Sequence, residues 1–478
     1  MDVKTKDFVS GSKAAILDPQ IQEALAKLRN GLGRGPRLAS EELTPPVWQD
    51  MRQRASDIKT HTIANLDYYL EKLSDNVEKA GGHVHFARDA KEASDIVLDI
   101  ARKRDVELVI KGKSMVSEEL EINDHLESIG IESVETDLGE YILQLMNEPP
   151  FHIIAPAIHK SRRQVSEIFT EKLKTLPSDE VEQLCETARE TLREKFLNAD
   201  MGITGVNFAV AETGTIALVT NEGNGRMCTS LPKVHIALMG MEKILPRLED
   251  LALFLGVLPR SATGQRISSY VTCVTGPRRS TDEDGPEEFH LVIVDNGRSK
   301  ILADEQMREA LNCIRCGACL NACPIYGKVG GHAYGWVYSG PIGAIVTPML
   351  TGTVEAKHLP FASTLCGACK DACPVKIDIP HMLLRLRQEI TQGGTLAKNG
   401  KAPWYEAALM KGWRQSVRGS RVFSLANRLG RLALLPLSRN GKVRRLPPPL
   451  SGWTRFRDFP LPSAKPFRER WRKGLKDE

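Results

Sequence analysis

Cys313-Ile314-Arg315-Cys316-Gly317-Ala318-Cys319-Leu320-Asn321-Ala322-Cys323-Pro324 is the stretch that places this chain, and its spacing is C-x2-C-x2-C-x3-C-P. Three cysteines at that pitch can wrap three corners of one iron-sulfur cubane, while the fourth, set back by one more residue before Pro324, points toward a second cluster. Thiolates suit the task because soft sulfur donors stabilise iron-sulfide cores.

Further along, Cys366-Gly367-Ala368-Cys369-Lys370-Asp371-Ala372-Cys373-Pro374 repeats the pattern without its first cysteine, and Ser363 stands in the vacant position. The ligand exchange of two-cluster ferredoxins gives Cys313, Cys316, Cys319 and Cys373 to cluster one and Cys323, Cys366 and Cys369 to cluster two. The fourth corner of cluster two is left open to the Ser363 oxygen, a partner, an exogenous ligand, or nothing, which would give a 3Fe-4S core. Structural zinc also uses C-x2-C pairs, but it takes four ligands in two separated pairs. Seven thiols with two Cys-Pro endings exceed that pattern. Cys185, Cys228 and Cys273 lie outside both runs and are expected to fill core.

Upstream of the cysteines the pattern is α/β. Asp18-Pro19 is a cap and first-turn pair for a helix ended at Gly31 to Gly35, and Ile63, Leu66, Leu70, Leu73 and Val77 predict a second amphipathic helix. Strands are expected at 83–87, 107–111, 131–135 and 151–155, then at 206–210, 215–220, 234–239, 269–274 and 290–295, with helical patterns between the early ones. That alternation implies a parallel-rich, helix-covered sheet. Around the cysteines, helices are expected at 301–311 and 379–390. The resulting division is an N-terminal helical segment 1–60, an α/β domain 61–298, an α-helical ferredoxin 299–392 and a basic helical region 393–478.

Three weaker signals sit in the α/β part. Lys111-Gly112-Lys113-Ser114 follows a strand and precedes a helix, where an anion could bind, but lacks the first glycine of a P-loop. The turn from Glu222 to Arg226 could cradle an anion with backbone N–H groups, or be an ordinary hairpin turn. His152 and His159 sit near an expected strand end and are read as structural. No dinucleotide fingerprint is present, so neither NAD nor FAD is expected.

At 41% apolar and 26% charged residues, the composition excludes a disordered or fibrous chain. No run approaches the roughly 18 to 20 apolar residues of a membrane span, and residues 1–10 hold no secretory h-region, so a cytoplasmic protein is expected. The net charge of +5 conceals an asymmetry: from Thr391 onward 20 Lys and Arg face 5 Asp and Glu, a local +15 that leaves about −10 before it. Within 414–435 the arginines and the apolar residues Val422, Leu425, Leu429 and Leu432 take different helical faces. Such a basic amphipathic helix is suited to an acidic partner, an anionic membrane surface, or the chain's own acidic domains. It carries no nucleic-acid reader motif, so nucleic acid is not expected.

Taken together, Glu212-Thr213-Gly214-Thr215, Gly223-Asn224-Gly225-Arg226, Lys111 to Met115, Ala155-Pro156-Ala157-Ile158-His159-Lys160 and the seven cysteines resemble the lactate utilization protein B family over nearly the whole chain. The resemblance implies a LUD domain of the NagB/RpiA-like α/β type, a helical ferredoxin with two 4Fe-4S clusters, and a C-terminal domain typical of the family. It also implies an iron-sulfur electron-transfer subunit of a complex oxidising L-lactate to pyruvate, not an autonomous enzyme, with lactate utilization proteins A and C as companions. The residues alone leave two rivals: an isomerase- or transferase-like enzyme with regulatory clusters, and an assembly scaffold.

Overall fold

The computed structural model describes residues 8–112, 114–398, 400–448, 450–455 and 457–472. They form two compact units, 1–399 and 400–478.

Among the described residues the first unit contains ten strands: β1 His83–Ala87, β2 Leu108–Gly112, β3 Glu132–Glu135, β4 Met201–Gly205, β5 Phe208–Val210, β6 Thr215–Thr220, β7 Val234–Gly240, β8 Ile244–Leu245, β9 Tyr270–Val274 and β10 Glu288–Val294. Six make one sheet in the order β1-β10-β7-β4-β2-β3, and every pairing in it is parallel. Its central strands β4 and β7 are buried along their whole length, as strands covered on both faces must be. A smaller sheet, β8-β5-β6-β9, packs the apolar residues of β5 and β6 into the largest core cluster.

Strand β4 escaped the sequence pattern because Met201-Gly202-Ile203-Thr204-Gly205 carries two glycines, which mute a strand signal. Gly202 has a packing reason: a Cβ there would lie 2.0 Å from the Cys228 carbonyl oxygen, so the helix Asn224–Ser230 closes directly on the strand.

Residues 151–155 are not a strand. Pro149, Pro150 and Pro156 remove backbone donors around the segment, and its bonds go elsewhere: Phe151 N donates to Pro156 O, and the Tyr326 hydroxyl donates to Phe151 O. The segment therefore leaves the sheet and lies against the cysteine-bearing part of the chain.

Two expected helices are broken by local chemistry. The 301–311 pattern becomes a helix Arg298–Ala303 and a 3-10 turn Arg308–Asn312, because the Asp304 carboxylate captures the N–H groups of Gln306 and Met307. The amphipathic pattern 63–77 divides at Asn65 into helices Pro45–Ala64 and Leu66–Lys79. At the N-terminus the expected cap is present, with the Asp18 side chain accepting from Gln20 N and Ile21 N.

In the second unit, helices Trp404–Val417 and Ser420–Leu434 meet at Arg418-Gly419, so the basic helix expected over 414–435 begins at Ser420. A three-stranded antiparallel sheet of two-residue strands follows, with Val443, Leu446 and Thr454 as its buried centre.

Candidate iron-sulfur site

The two cysteine runs fold alike. In each, a residue in the left-handed region (Arg315, φ +60°; Leu365, φ +55°) precedes a cysteine, and a left-handed glycine (Gly317, φ +74°; Gly367, φ +87°) follows it. Short helices Ala318–Ala322 and Ala368–Ala372 come next and pack against each other, and each ends on a Cys-Pro pair. The glycines are required because a side chain at those φ values is strained. Proline after Cys323 and Cys373 stops each helix and turns the last thiol away from its own run.

That turn sorts the thiols. Cys313, Cys316, Cys319 and Cys373 line one cavity, walled by Ile153, Ile342, Val375, Ile377 and Ile379. Burial pushes the thiols of Cys316, Cys319 and Cys373 up, Cys373 to about 12, and negative charge on the other members of this set adds to the rise. The remaining three answer to each other instead: burial and Cys366 raise Cys323, while burial, Cys323 and Cys366 raise Cys369 to about 11. Cys366 is exposed, and a hydrogen bond from Thr364 lowers it.

Backbone N–H groups converge on the sulfurs. Arg315 N lies 3.4 Å from Cys313 Sγ, Tyr326 N 3.5 Å from Cys323 Sγ and Ile377 N 3.4 Å from Cys373 Sγ. Such donors favour thiolates and tune an iron-sulfur centre's potential. Among the described residues no three His, Cys, Asp or Glu side chains close on a point that would hold a single ion, and the four thiols line one cavity. Ser363 Oγ accepts from Leu365 N at 3.1 Å, a local turn bond.

Residues the sequence did not single out hold this arrangement in place. Arg52, from helix Pro45–Ala64, donates to Cys373 O at 2.7 Å and Asp371 O at 2.8 Å, tying the second cysteine run to the N-terminal helices. Phe151 fits over Gly330 and Gly331, where a Cβ would come within 2.0 and 1.8 Å of it. His152 bonds Asn321 Oδ1 at 3.0 Å and is pushed down to about 4 by burial; His159 stacks on Phe151 and meets Glu148. Both histidines are packing elements, as expected.

Beside the four-thiol cavity lies a buried charge network. Arg298 binds Glu119 through both terminal nitrogens at 2.9 and 2.8 Å and Glu242 through Nε at 2.8 Å; Tyr338 donates to Glu119 at 2.6 Å. The Arg315 guanidinium stacks over Tyr338 at 4.5 Å and reaches Glu242 at 3.4 Å. Lys59 donates to the carbonyl of Glu242, and burial lowers it to about 7. Burial and Arg315 lower Lys243 to about 8. Although burial alone would raise it, Arg298, Arg315 and Lys243 hold Glu242 down at about 2. A charged pair, Glu242-Lys243, directly after the apolar strand β7 is the sequence signal that could have found it.

The other sequence candidates fall outside this site. Lys111 is buried and paired with Glu118 at 2.8 Å and Glu135 at 2.6 Å, so its own charge is spent within the protein. Lys113 lies outside the described residues. Arg226 sits over the Tyr270 ring. Cys228 is core, raised by burial to about 12, whereas Cys273 is exposed and fills none; Cys185 is half-buried.

Family models match three consecutive segments: a LUD domain over residues 70–294, a 4Fe-4S dicluster domain over 309–377, and the C-terminal domain of lactate utilisation protein B over 385–476. Lactate utilization protein B of Bacillus licheniformis is 49% identical over 423 residues, 88% of this chain and 87% of the relative. That of Bacillus thuringiensis is 46% identical over 476 residues, 100% and 98% of the two chains. A solved structure of a DUF162 family protein from Deinococcus radiodurans covers 48% of this chain at 14% identity, and its TM-score of 0.28 is too low to carry an argument. With identity at this level along its full length, and with seven thiols sorted four and three in the segment that matches a dicluster domain, the chain belongs to the lactate utilization protein B family.

Proposed function

We propose that this chain is the iron-sulfur electron-transfer subunit of a complex that oxidises L-lactate to pyruvate. The observation that carries the reading is the sorting of thiols: Cys313, Cys316, Cys319 and Cys373 around one cavity, with Cys323, Cys366 and Cys369 forming a second group. The fit to two cubanes is good in donor type, in backbone N–H groups turned on sulfur, and in the burial of five of the seven thiols. On this reading the first set holds a 4Fe-4S cluster, and the second holds another whose fourth ligand is not a cysteine of these two runs. When bound, such clusters supply one-electron transfer.

The protein's own contribution is positional. Arg52 fixes the carbonyl of Cys373, so the residue that crosses from one run to the other cluster is held from a third part of the chain. Arg315, which lines the four-thiol cavity and meets Glu242 only at 3.4 Å, turns its positive charge toward the thiolates, which favours an anionic cluster there. The 309–392 region also offers Cys366 at the surface, where electrons can leave over a short distance. We place lactate utilization proteins A and C as its companions and the cytoplasm as its compartment. The basic tail is the element that would meet an acidic partner or the inner membrane face, and no described helix is long and apolar enough to cross a membrane.

Anaerobic mixing with L-lactate tests the reading. In the presence of the two companion proteins, lactate is expected to reduce the clusters, seen as bleaching of the brown chromophore and appearance of an EPR signal. A mixture that oxidises lactate while these clusters stay oxidised would remove the chain from the electron path.

A further inference from the structure

At the C-terminal ends of β2, β4 and β7, a cavity of about 180 Å³ opens between the parallel sheet and the cysteine-bearing segment. Ligands of open α/β sheets gather at that edge. Two residues, Ile153 and Arg315, line both this cavity and the one that holds Cys313, Cys316, Cys319 and Cys373. Whatever occupies the first is one side chain away from the second.

Its walls are polar in an ordered way. Lys243 and Arg315 stand in its wall; Arg315 Nη1 is buried with no hydrogen-bond partner, and among the described residues no hydrogen bond or ion pair engages Lys243 Nζ. Lys59, Lys243, Arg298 and Arg315 share the two carboxylates Glu119 and Glu242, and of these four Lys243 and Arg315 line the cavity. Glu140 lines it too, with an unpartnered, buried Oε2. Burial and the neighbouring carboxylates of Glu135 and Asp137 raise Glu140 well above the usual carboxylate range, which favours its protonated, hydrogen-bond-donating form. Leu258, Pro259 and Ala262 supply an apolar flank. The volume is below the roughly 300 Å³ at which drug-sized pockets begin, which limits the occupant to a few heavy atoms.

We propose that this cavity binds a small 2-hydroxy- or 2-oxo-carboxylate, with its carboxylate on Arg315 and Lys243 and its second oxygen toward Glu140. The choice of that acid class rests on the lactate reading above; the cationic side chains, the unpartnered Glu140 and the size are features of the cavity itself. The consequence is that the family's substrate or product is held on this chain, against the four-cysteine set.

Titration calorimetry on the anaerobically purified full chain is the test, with L-lactate, pyruvate, acetate and inorganic phosphate as probes. L-Lactate or pyruvate is expected to bind at least tenfold more tightly than acetate or phosphate, and to shift the EPR spectrum of the reduced cluster. Lys243→Gln should weaken binding at least tenfold with iron content unchanged, and Lys243→Arg should recover part of it. Should Lys243→Gln not fold, Ala262→Leu, which fills the cavity without altering charge, is expected to abolish binding. Absence of binding by both acids, binding within twofold of wild type in the folded variants, or phosphate binding as tightly as lactate would each overturn the proposal. If the three-protein mixture still reduces the clusters with lactate while this chain binds neither acid, the cavity assignment is wrong and the electron-carrier reading stands. If lactate binds here as described and the clusters never reduce, the reverse holds.

Discussion

Replacing Cys373 with alanine is expected to remove about half of the bound iron, the loss of one of two clusters. The loss itself does not identify which cluster Cys373 serves, because wiring within each run would also cost a cluster. Pairs of substitutions decide. Cys373 lines the same cavity as Cys313, 60 residues away, and not the group formed by Cys366 and Cys369 a few residues before it. Two changes that strike one cluster cannot cost more than that cluster, so their effects are strongly non-additive. The Cys313→Ala/Cys373→Ala double variant should therefore keep about the iron of either single variant, whereas Cys313→Ala/Cys366→Ala should lose nearly all of it. Iron and acid-labile sulfide analysis reads both. Near-complete loss in the first pair would mean that each run serves its own cluster.

Arg298→Ala should be the most destabilising substitution outside the cysteines. Arg298 is 1% exposed, and its partners Glu119 and Glu242 are 0% and 1% exposed. Removing it leaves two carboxylates in the interior without their main cation, a change that costs about 3 to 5 kcal/mol when one partner of a buried pair is deleted. Against a total stability of roughly 5 to 15 kcal/mol, that is enough to unfold a large fraction of the chain on mild heating. Thermal denaturation followed by circular dichroism would check it, and a melting temperature equal to wild type would show that the network is not structural.

The same network sets an acid limit. Glu242 stands at about 2 in the folded chain against an ordinary 4.5. Because the folded value is the lower one, its contribution is fully present above about pH 4.5 and is lost as pH falls from there toward about 2. Arg298→Ala removes the main cause of the depression, so the variant should lose part of the wild type's stability difference across that window.

How much of this was legible beforehand follows from the range of the interactions involved. Cysteine spacing is local chemistry, and C-x2-C-x2-C-x3-C-P announces itself without any tertiary information. Strands such as His83–Ala87 and Thr215–Thr220 were legible because β-branched and aromatic runs end at turn residues. Met201–Gly205 was not, since its identity as a central strand comes from Cys228 closing on Gly202. Residues 151–155 had a strand's composition, but flanking prolines and the Tyr326 hydroxyl redirected the backbone. Arg52, Glu119, Glu242 and Arg298 come from four separated stretches, each unremarkable alone. Only the fold brings them beside the thiols, where charge with no local partner finds one.

Two multinuclear iron-sulfur centres on seven thiolates, sorted four and three, have a spectroscopic signature of their own. Mössbauer spectroscopy of the anaerobically purified, iron-57-labelled chain, with metal and sulfide analysis on the same sample, tests for them most directly. Roughly seven to eight irons per chain are expected in two cubane-type centres, one of them with a chemically distinct or missing corner. A colourless chain with stoichiometric zinc, or iron confined to a single centre, would contradict this arrangement.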